Sequence, residues 1–179
     1  MLKKLKEKNL IDYEKYGKIT LTEIGRLRAV ELLRKHRLWE TFLFQTLGFA
    51  WDEVHEIAEQ LEHINSSKLI NKLDEFLGFP DCDPHGDVIP SSIGELKETD
   101  YIPLSEVQIN GRCKITAVKD SSPAFLKYVT QLGLQIDSEM KVLIKQEFDG
   151  SLEIEYSNKK VTVSKKFADN ILVKKQMKG

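Results

Sequence analysis

The stretch 35-KHRLWETFLFQTLGFAWDEVHEIAEQLEHI-64 carries three of the chain's four histidines and reads as two helices meeting at a tight turn around Gly48. Upstream, Thr22 is a suitable N-cap for a long helix running to about Leu47, because Ile24, Leu27, Val30, Leu38, Phe42 and Leu47 recur near helical spacing and Gly48 supplies a stop. The second helix covers Trp51 to Ile64. With about three residues between them, the two should run antiparallel.

That arrangement predicts a convergence of polar side chains. At about 100° per residue, Glu59, Glu62 and His63 fall within an arc about 100° wide that also contains His55, beside the apolar stripe of Val54, Ala58 and Leu61. On the first helix His36 and Glu40 are four apart and share a face. Measured back from Gly48 at about 1.5 Å per residue, Glu40 should sit level with His55, and His36 near Glu59 and Glu62. Glutamates on a helix are ordinarily a solvated face, and a single histidine beside an apolar stripe is ordinarily hydrogen-bonded core. Six such groups in register on paired helices favour a metal site instead. Carboxylate and imidazole donors without thiolate suit Mn2+ or Fe2+, and imidazole also accepts Zn2+.

Working outward, a third helix starts at Ser66 or Ser67, carries Leu69, Ile70, Leu73, Phe76 and Leu77, and stops at Gly78. Before Thr22, residues 1–9 look like the last turns of a helix, and NLIDYEKYGKITLT alternates as a β-hairpin. From 79 to 103 the chain holds four of its five prolines and reads as a linker. Beyond it, CKITAV, KVLIKQ, LEIEY and KKVTVS are short strand-like runs with turn signals between them, and PAFLKYVTQLGL fits a short helix. Together residues 104–179 suggest a small β-barrel.

The formal net charge of -1 gives no global signal for nucleic acid, so any such contact would need a local patch. The two cysteines, Cys82 and Cys113, form neither a disulfide framework nor a paired zinc spacing, which fits the cytoplasm. No apolar run reaches bilayer or signal-peptide length, so no membrane association is expected. Two enzyme patterns come close and fail. HEIAE at 55–59 has Glu59 where a zincin helix needs its second histidine, and a di-metal carboxylate bundle would want four long helices. A di-metal carboxylate enzyme and a DNA-free dimeric partner-binding protein stand as the alternatives to a regulator.

The segments LTEIGRLRAVELLRKHRLWETFL, WDEVHEIAEQLEHI, DPHGDVIP and PLSEVQINGRCKI…LGLQIDSEMKV, in this order, resemble the diphtheria-toxin-repressor family of metal-dependent transcriptional regulators along essentially the whole chain. The resemblance implies a mainly α N-terminal part followed by a small SH3-like β-barrel. Residues 1–21 would be the end of a winged helix-turn-helix, 22–78 a helical metal-binding and dimerisation domain, 79–103 a linker and 104–179 an SH3-like domain. By position, His36, Glu40 and His55 match an ancillary metal site, and Glu59, Glu62 and His63 the primary one. Glutamate rather than cysteine at position 59 resembles manganese-responsive members.

Within DPHG, His85 matches a further ligand and Asp83 takes the position of a cysteine found in some relatives, with Asp120 as a possible companion. The match begins partway through the family's recognition helix, so the chain as written is expected to lack most of the DNA-reading element. Lys3, Lys4, Lys8, Lys15 and Lys18 would then serve phosphate contact beside it. The expectation is a homodimeric repressor of manganese or iron uptake, acting on operator DNA when complete, and not an enzyme.

Overall fold

The computed structural model describes residues 2–13 and 17–176. Helix α1, Leu2–Glu7, is followed by the hairpin of β1, Ile11–Tyr13, and β2, Ile19–Leu21, paired antiparallel with Ile11 opposite Leu21. Lys3, Lys4, Lys8 and Lys18 are exposed, and Lys15 lies outside the described residues.

Helix α2, Glu23–Gln45, begins where the sequence predicts, with the Thr22 hydroxyl accepting the Gly25 N–H at 3.0 Å and so satisfying one of the free donors of the first turn. Helix α3, Val54–Leu61, is shorter than expected at its start, because Trp51 is drawn away from the helical part altogether. Helix α4, Ser67–Phe76, is capped by Ser66. The three helices share a core of Leu38, Trp39 and Leu43 from α2, Val54 and Ala58 from α3, and Ile70 and Leu73 from α4. Ala58, fully buried, lets α3 lie close on α2. The expected apolar face of α2 is only partly used, since Ile24, Leu27 and Leu47 are each more than half exposed. None of the described helices is long and apolar enough to cross a membrane.

The C-terminal part contains β3, Ile102–Pro103; β4, Arg112–Val118; α5, Pro123–Gln131; β5, Glu139–Lys145; β6, Leu152–Tyr156; β7, Lys159–Val163; α6, Lys165–Asn170; and β8, Ile171–Lys175. The strands form one antiparallel sheet in the order β3-β8-β4-β5-β6-β7. This is the small SH3-like β-structure expected from the sequence, and it does not close on itself. β3 and β7 are the two ends of an open, SH3-like sheet, and no ladder joins them among the described residues. The β6–β7 turn places Ser157 and Asn158 at positive φ, the geometry that suits a two-residue hairpin. Ile115, Val142, Ile154, Ile171 and Val173 alternate inward along their strands, and Leu126 and Phe167 from the helices complete the core.

The segment 79–103 is more than a tether. Its Asp83, His85 and Ile89 are buried. The His85 carbonyl accepts the Val118 N–H of β4 at 3.0 Å, and Gly86, at φ +84°, lies so close to β4 that a Cβ there would stand 1.9 Å from the Thr116 carbonyl oxygen. Trp51 crosses in the other direction. Its indole sits in the core of the sheet and donates to Thr130 Oγ1 at 3.0 Å.

Candidate metal centre

Glu40, 2% exposed near the C-terminal end of α2, is the hub of the centre. One of its oxygens, Oε1, lies 2.9 Å from His36 Nε2 and 3.2 Å from His55 Nδ1. His36 is one helical turn back on the same face, and His55 enters from the first turn of α3, as the antiparallel register requires. The other nitrogen of His36 lies 2.6 Å from Glu62 Oε2, at the C-cap of α3. His36, Glu40 and His55 each offer one ligand atom, all within 4.8 Å of one another, and could hold a metal ion.

A second group shares Glu40. Its Oε2 faces His85 Nδ1 at 3.7 Å, and Glu40, Asp83 and His85 also bring their ligand atoms within 4.8 Å. His85 Nε2 donates to the Trp51 carbonyl at 2.7 Å, which fixes the ring. Asp83 Oδ1 accepts the backbone N–H groups of His85 and Asp87 at 2.8 and 3.0 Å, an Asx turn that holds the DPHG loop in shape. Its other oxygen lies 3.7 Å from the Arg37 guanidinium, which also reaches Asp87 at 3.4 Å and donates to the Val88 carbonyl.

The donor chemistry fits a cation. Both nitrogens of His36 face carboxylate oxygens, so a neutral ring with a single N–H leaves one of those oxygens opposite a lone pair. The same holds at His85, whose one N–H is committed to the Trp51 carbonyl while Nδ1 looks at Glu40. Each mismatch is relieved either by an extra proton on the ring or by a metal ion between the donors. In the metal-free protein, protons take that part. Burial disfavours the His36 imidazolium, but Glu40 and Glu62 outweigh it and raise its pKa. Burial likewise opposes charge on His85, and Glu40 and Asp83 push it up to about 8. Burial disfavours the Glu40 charge as well, yet hydrogen bonding to His36 and His85 holds its carboxyl far below the usual range. Asp83 is raised by burial and by the nearby Glu40 and Asp87 charges.

Because the folded-state values of His36, His85 and Asp83 lie above their unfolded ones, their contribution to stability is complete at low pH and is lost as pH rises through the folded values. With a chelator present, the urea midpoint is therefore expected to fall between about pH 6.5 and about pH 8.5. Added Mn2+ should reverse that trend, since a metal needs the imidazoles neutral. A midpoint that is flat with pH in both conditions would count against proton and metal sharing this centre.

The other anticipated residues stand apart. Glu59 and His63 are exposed and, among the described residues, make no side-chain hydrogen bond or ion pair; α3 ends at Leu61, so His63 falls beyond its last turn. Asp120 is turned to its own loop, accepting the Ser122 N–H at 2.9 Å, and does not join Asp83 and His85. Arg37 and Trp51 were missed in the sequence. Arg37 lies inside the KHRLWE motif next to a proposed ligand, and Trp51 gives no local sign of a partner at position 130.

Residues 22–91 match the family described as "Iron dependent repressor, metal binding and dimerisation domain", and residues 102–175 match the FeoA domain. The fold superposes on a manganese-dependent transcriptional repressor solved in complex with manganese, with a TM-score of 0.86 and 36% identity over 98% of this chain and 82% of that one. The iron-dependent repressor IdeR of Mycobacterium leprae is 28% identical over 155 residues, which are 87% of this chain and 64% of that protein. A probable metal transport system membrane protein of Chlamydia trachomatis is 45% identical over 71 residues, 40% of this chain and 16% of that protein. The chain thus spans less than two thirds of the length of these two curated relatives. Conserved order of both matched domains, together with likeness over nearly the whole chain, places it: the chain belongs to the family of metal-dependent transcriptional repressors that includes the diphtheria toxin repressor.

Proposed function

We propose that the chain is the metal-sensing and dimerising portion of a repressor that binds operator DNA when Mn2+ or Fe2+ occupies the Glu40 centre. The observation that carries this reading is the buried Glu40 carboxylate facing three imidazoles. The donors are nitrogen and oxygen only, which suits Mn2+ or Fe2+ while leaving Zn2+ able to bind in vitro. Cys82 is beside Asp83 in sequence, but burial and the Asp83 charge raise its thiol pKa and make the thiolate a costly alternative ligand.

In this reading residues 22–78 sense metal and pair two copies into a homodimer in the cytoplasm, 79–103 carries the second ligand group, and 104–179 is a docked SH3-like domain. Glu59, Glu62 and His63 form a half-set beside the centre, and the exposed Lys3, Lys4 and Lys18 suit phosphate contact near the wing hairpin. A cation bound to α2, α3 and the DPHG loop ties these three elements together. It therefore shifts the population towards one arrangement by as much as it prefers that arrangement. A second reading is favoured by the likeness to a probable metal transport system membrane protein: the segment would serve metal transport without reading DNA.

Assayed on DNA from promoters of metal-transport genes, the gene product is expected to bind at least about tenfold more tightly with saturating Mn2+ than with a chelator, a difference of about 1.4 kcal/mol. Equal affinity in the two conditions, with metal bound, would sink the repressor reading and favour the second.

A further inference from the structure

Asp120, the residue of the C-terminal domain expected at the metal centre, stays with its own loop. The sheet grips the centre by another route, through Trp51. This residue lies in the connection between α2 and α3, four positions before His55. Its side chain leaves the helical core and packs among Leu126, Val129 and Leu134 in the core of the sheet. There the indole N–H donates to Thr130 Oγ1 of α5 at 3.0 Å. The Thr130 hydroxyl directs its own proton to the Leu126 carbonyl at 3.0 Å, which leaves a lone pair for the indole. Lys127 of the same helix reaches Asp52 at 3.6 Å, so the connection is held at two successive residues.

The other side of Trp51 faces His85. Its carbonyl accepts the His85 Nε2–H at 2.7 Å, and the two rings stack with centroids 6.2 Å apart and planes at 24°. A neutral imidazole has a single N–H. With that proton held at Nε2, the lone pair lies on Nδ1, the atom that faces Glu40. The backbone of His85 is tied to the sheet as well, since its carbonyl accepts the Val118 N–H of β4 at 3.0 Å. The sheet thus holds His85 twice, by its main chain through β4 and by its ring through Trp51.

We propose that Trp51 is a positioning residue for metal binding: anchored in the sheet by Thr130, it holds His85 in the tautomer and orientation that present Nδ1 to the ion. The proposal rests on the metal-sensing reading and gives the C-terminal domain a part in it without lending a ligand. A residue that supports a ligand from behind typically contributes about 10–100-fold to metal affinity. Thr130 acts one step further back, so its share is expected to be about fivefold, below that range. By linkage, the ion must tighten the Trp51–Thr130 contact by the same factor that the contact tightens the ion.

Calorimetric titration of the chain with Mn2+ tests this without DNA. Thr130→Val keeps the shape of the side chain but removes the acceptor, and Trp51→Phe removes the donor and leaves no group unpaired. Each is expected to weaken Mn2+ binding about fivefold, while Thr130→Ser, which keeps the hydroxyl, should bind as the wild type does. Val163→Ala opens a small cavity in the same core at β7 and should lower stability with Mn2+ affinity unchanged. With Zn2+ as a diamagnetic probe, hydrogen exchange of the Trp51 indole N–H, followed by NMR, should slow by a factor similar to the loss in affinity. Wild-type affinity in both Thr130→Val and Trp51→Phe overturns the proposal and leaves the metal-sensing reading standing. An equal loss in Val163→Ala also overturns it, by making affinity follow the stability of the sheet alone. Indole exchange that ignores bound Zn2+ does the same. Absence of any bound Mn2+ in the wild type overturns both.

Discussion

Glu40→Ala is expected to erase the thermal stabilisation that Mn2+ gives the protein. At a free metal concentration about one hundred times Kd, binding to the folded state alone contributes about 2.7 kcal/mol. For a chain of this length that corresponds to a rise in Tm of roughly 5–10 °C. Both candidate ligand groups contain Glu40, so removing it leaves His36 with His55, and Asp83 with His85, as separate pairs without a common anion. Calorimetric scans with chelator and with excess Mn2+ should superimpose in the variant while remaining well separated in the wild type. A variant that retains more than about half of the shift would mean that metal binds mainly through the Glu59, Glu62 and His63 half-set. His55→Ala, which removes a more exposed donor from one group only, should retain part of the shift.

Gly86→Ala is expected to have the largest effect on the fold itself. The position combines a left-handed backbone, φ +84°, with backbone on the facing side: a Cβ would stand 1.9 Å from the Thr116 carbonyl oxygen and 2.6 Å from the Ala117 Cα. Neither neighbour can swing aside as a flexible side chain would. Positive φ alone costs a non-glycine residue about 1–2 kcal/mol, and forcing the loop off β4 adds overpacking of about 1–3 kcal/mol. The sum, about 4 kcal/mol, would lower Tm by roughly 10 °C. Trp51 should report the change, since its carbonyl accepts from His85 and its indole is buried against Thr130. An increase in its solvent exposure by fluorescence should accompany the loss of stability. A loss below about 1 kcal/mol would argue that the loop does not press on the strand in solution.

The parts of this structure that were legible in the sequence are those decided by local spacing. Thr22 and Ser66 cap their helices as their side chains predict. The alignment of Glu40 with His55 and of His36 with Glu62 follows from helix rise and a short connection, and it is observed at 3.2 Å and 2.6 Å. Glu59 and His63 lie exposed beside the centre rather than in it, because an arc about 100° wide is broader than the opening between two packed helices. What was illegible depends on contacts distant in the chain. Asp83 and His85, singled out only by the family resemblance, lie in a proline-rich stretch that reads locally as a linker, and their burial comes from β4 and α2 closing on them from opposite sides. Trp51 fits a helical apolar pattern as well as it fits its real place in the other core. Ile171–Lys175 was overlooked as a strand although it sits between β3 and β4, since five residues directly after a helix give too short a run for alternation to register.

Among the described residues the open sheet leaves two rims of unpaired backbone, and unpaired rims recruit other chains into aggregates. Here each rim is blunted by a different means. β3 is only two residues long and carries Pro103, which has no N–H to offer an incoming strand. β7 begins with Lys159 and Lys160, whose side chains are exposed and whose like charges would meet those of a second copy laid alongside. A sheet that does not close on itself is thereby guarded against edge-to-edge pairing, and the protection lies in three side chains outside the candidate metal centre.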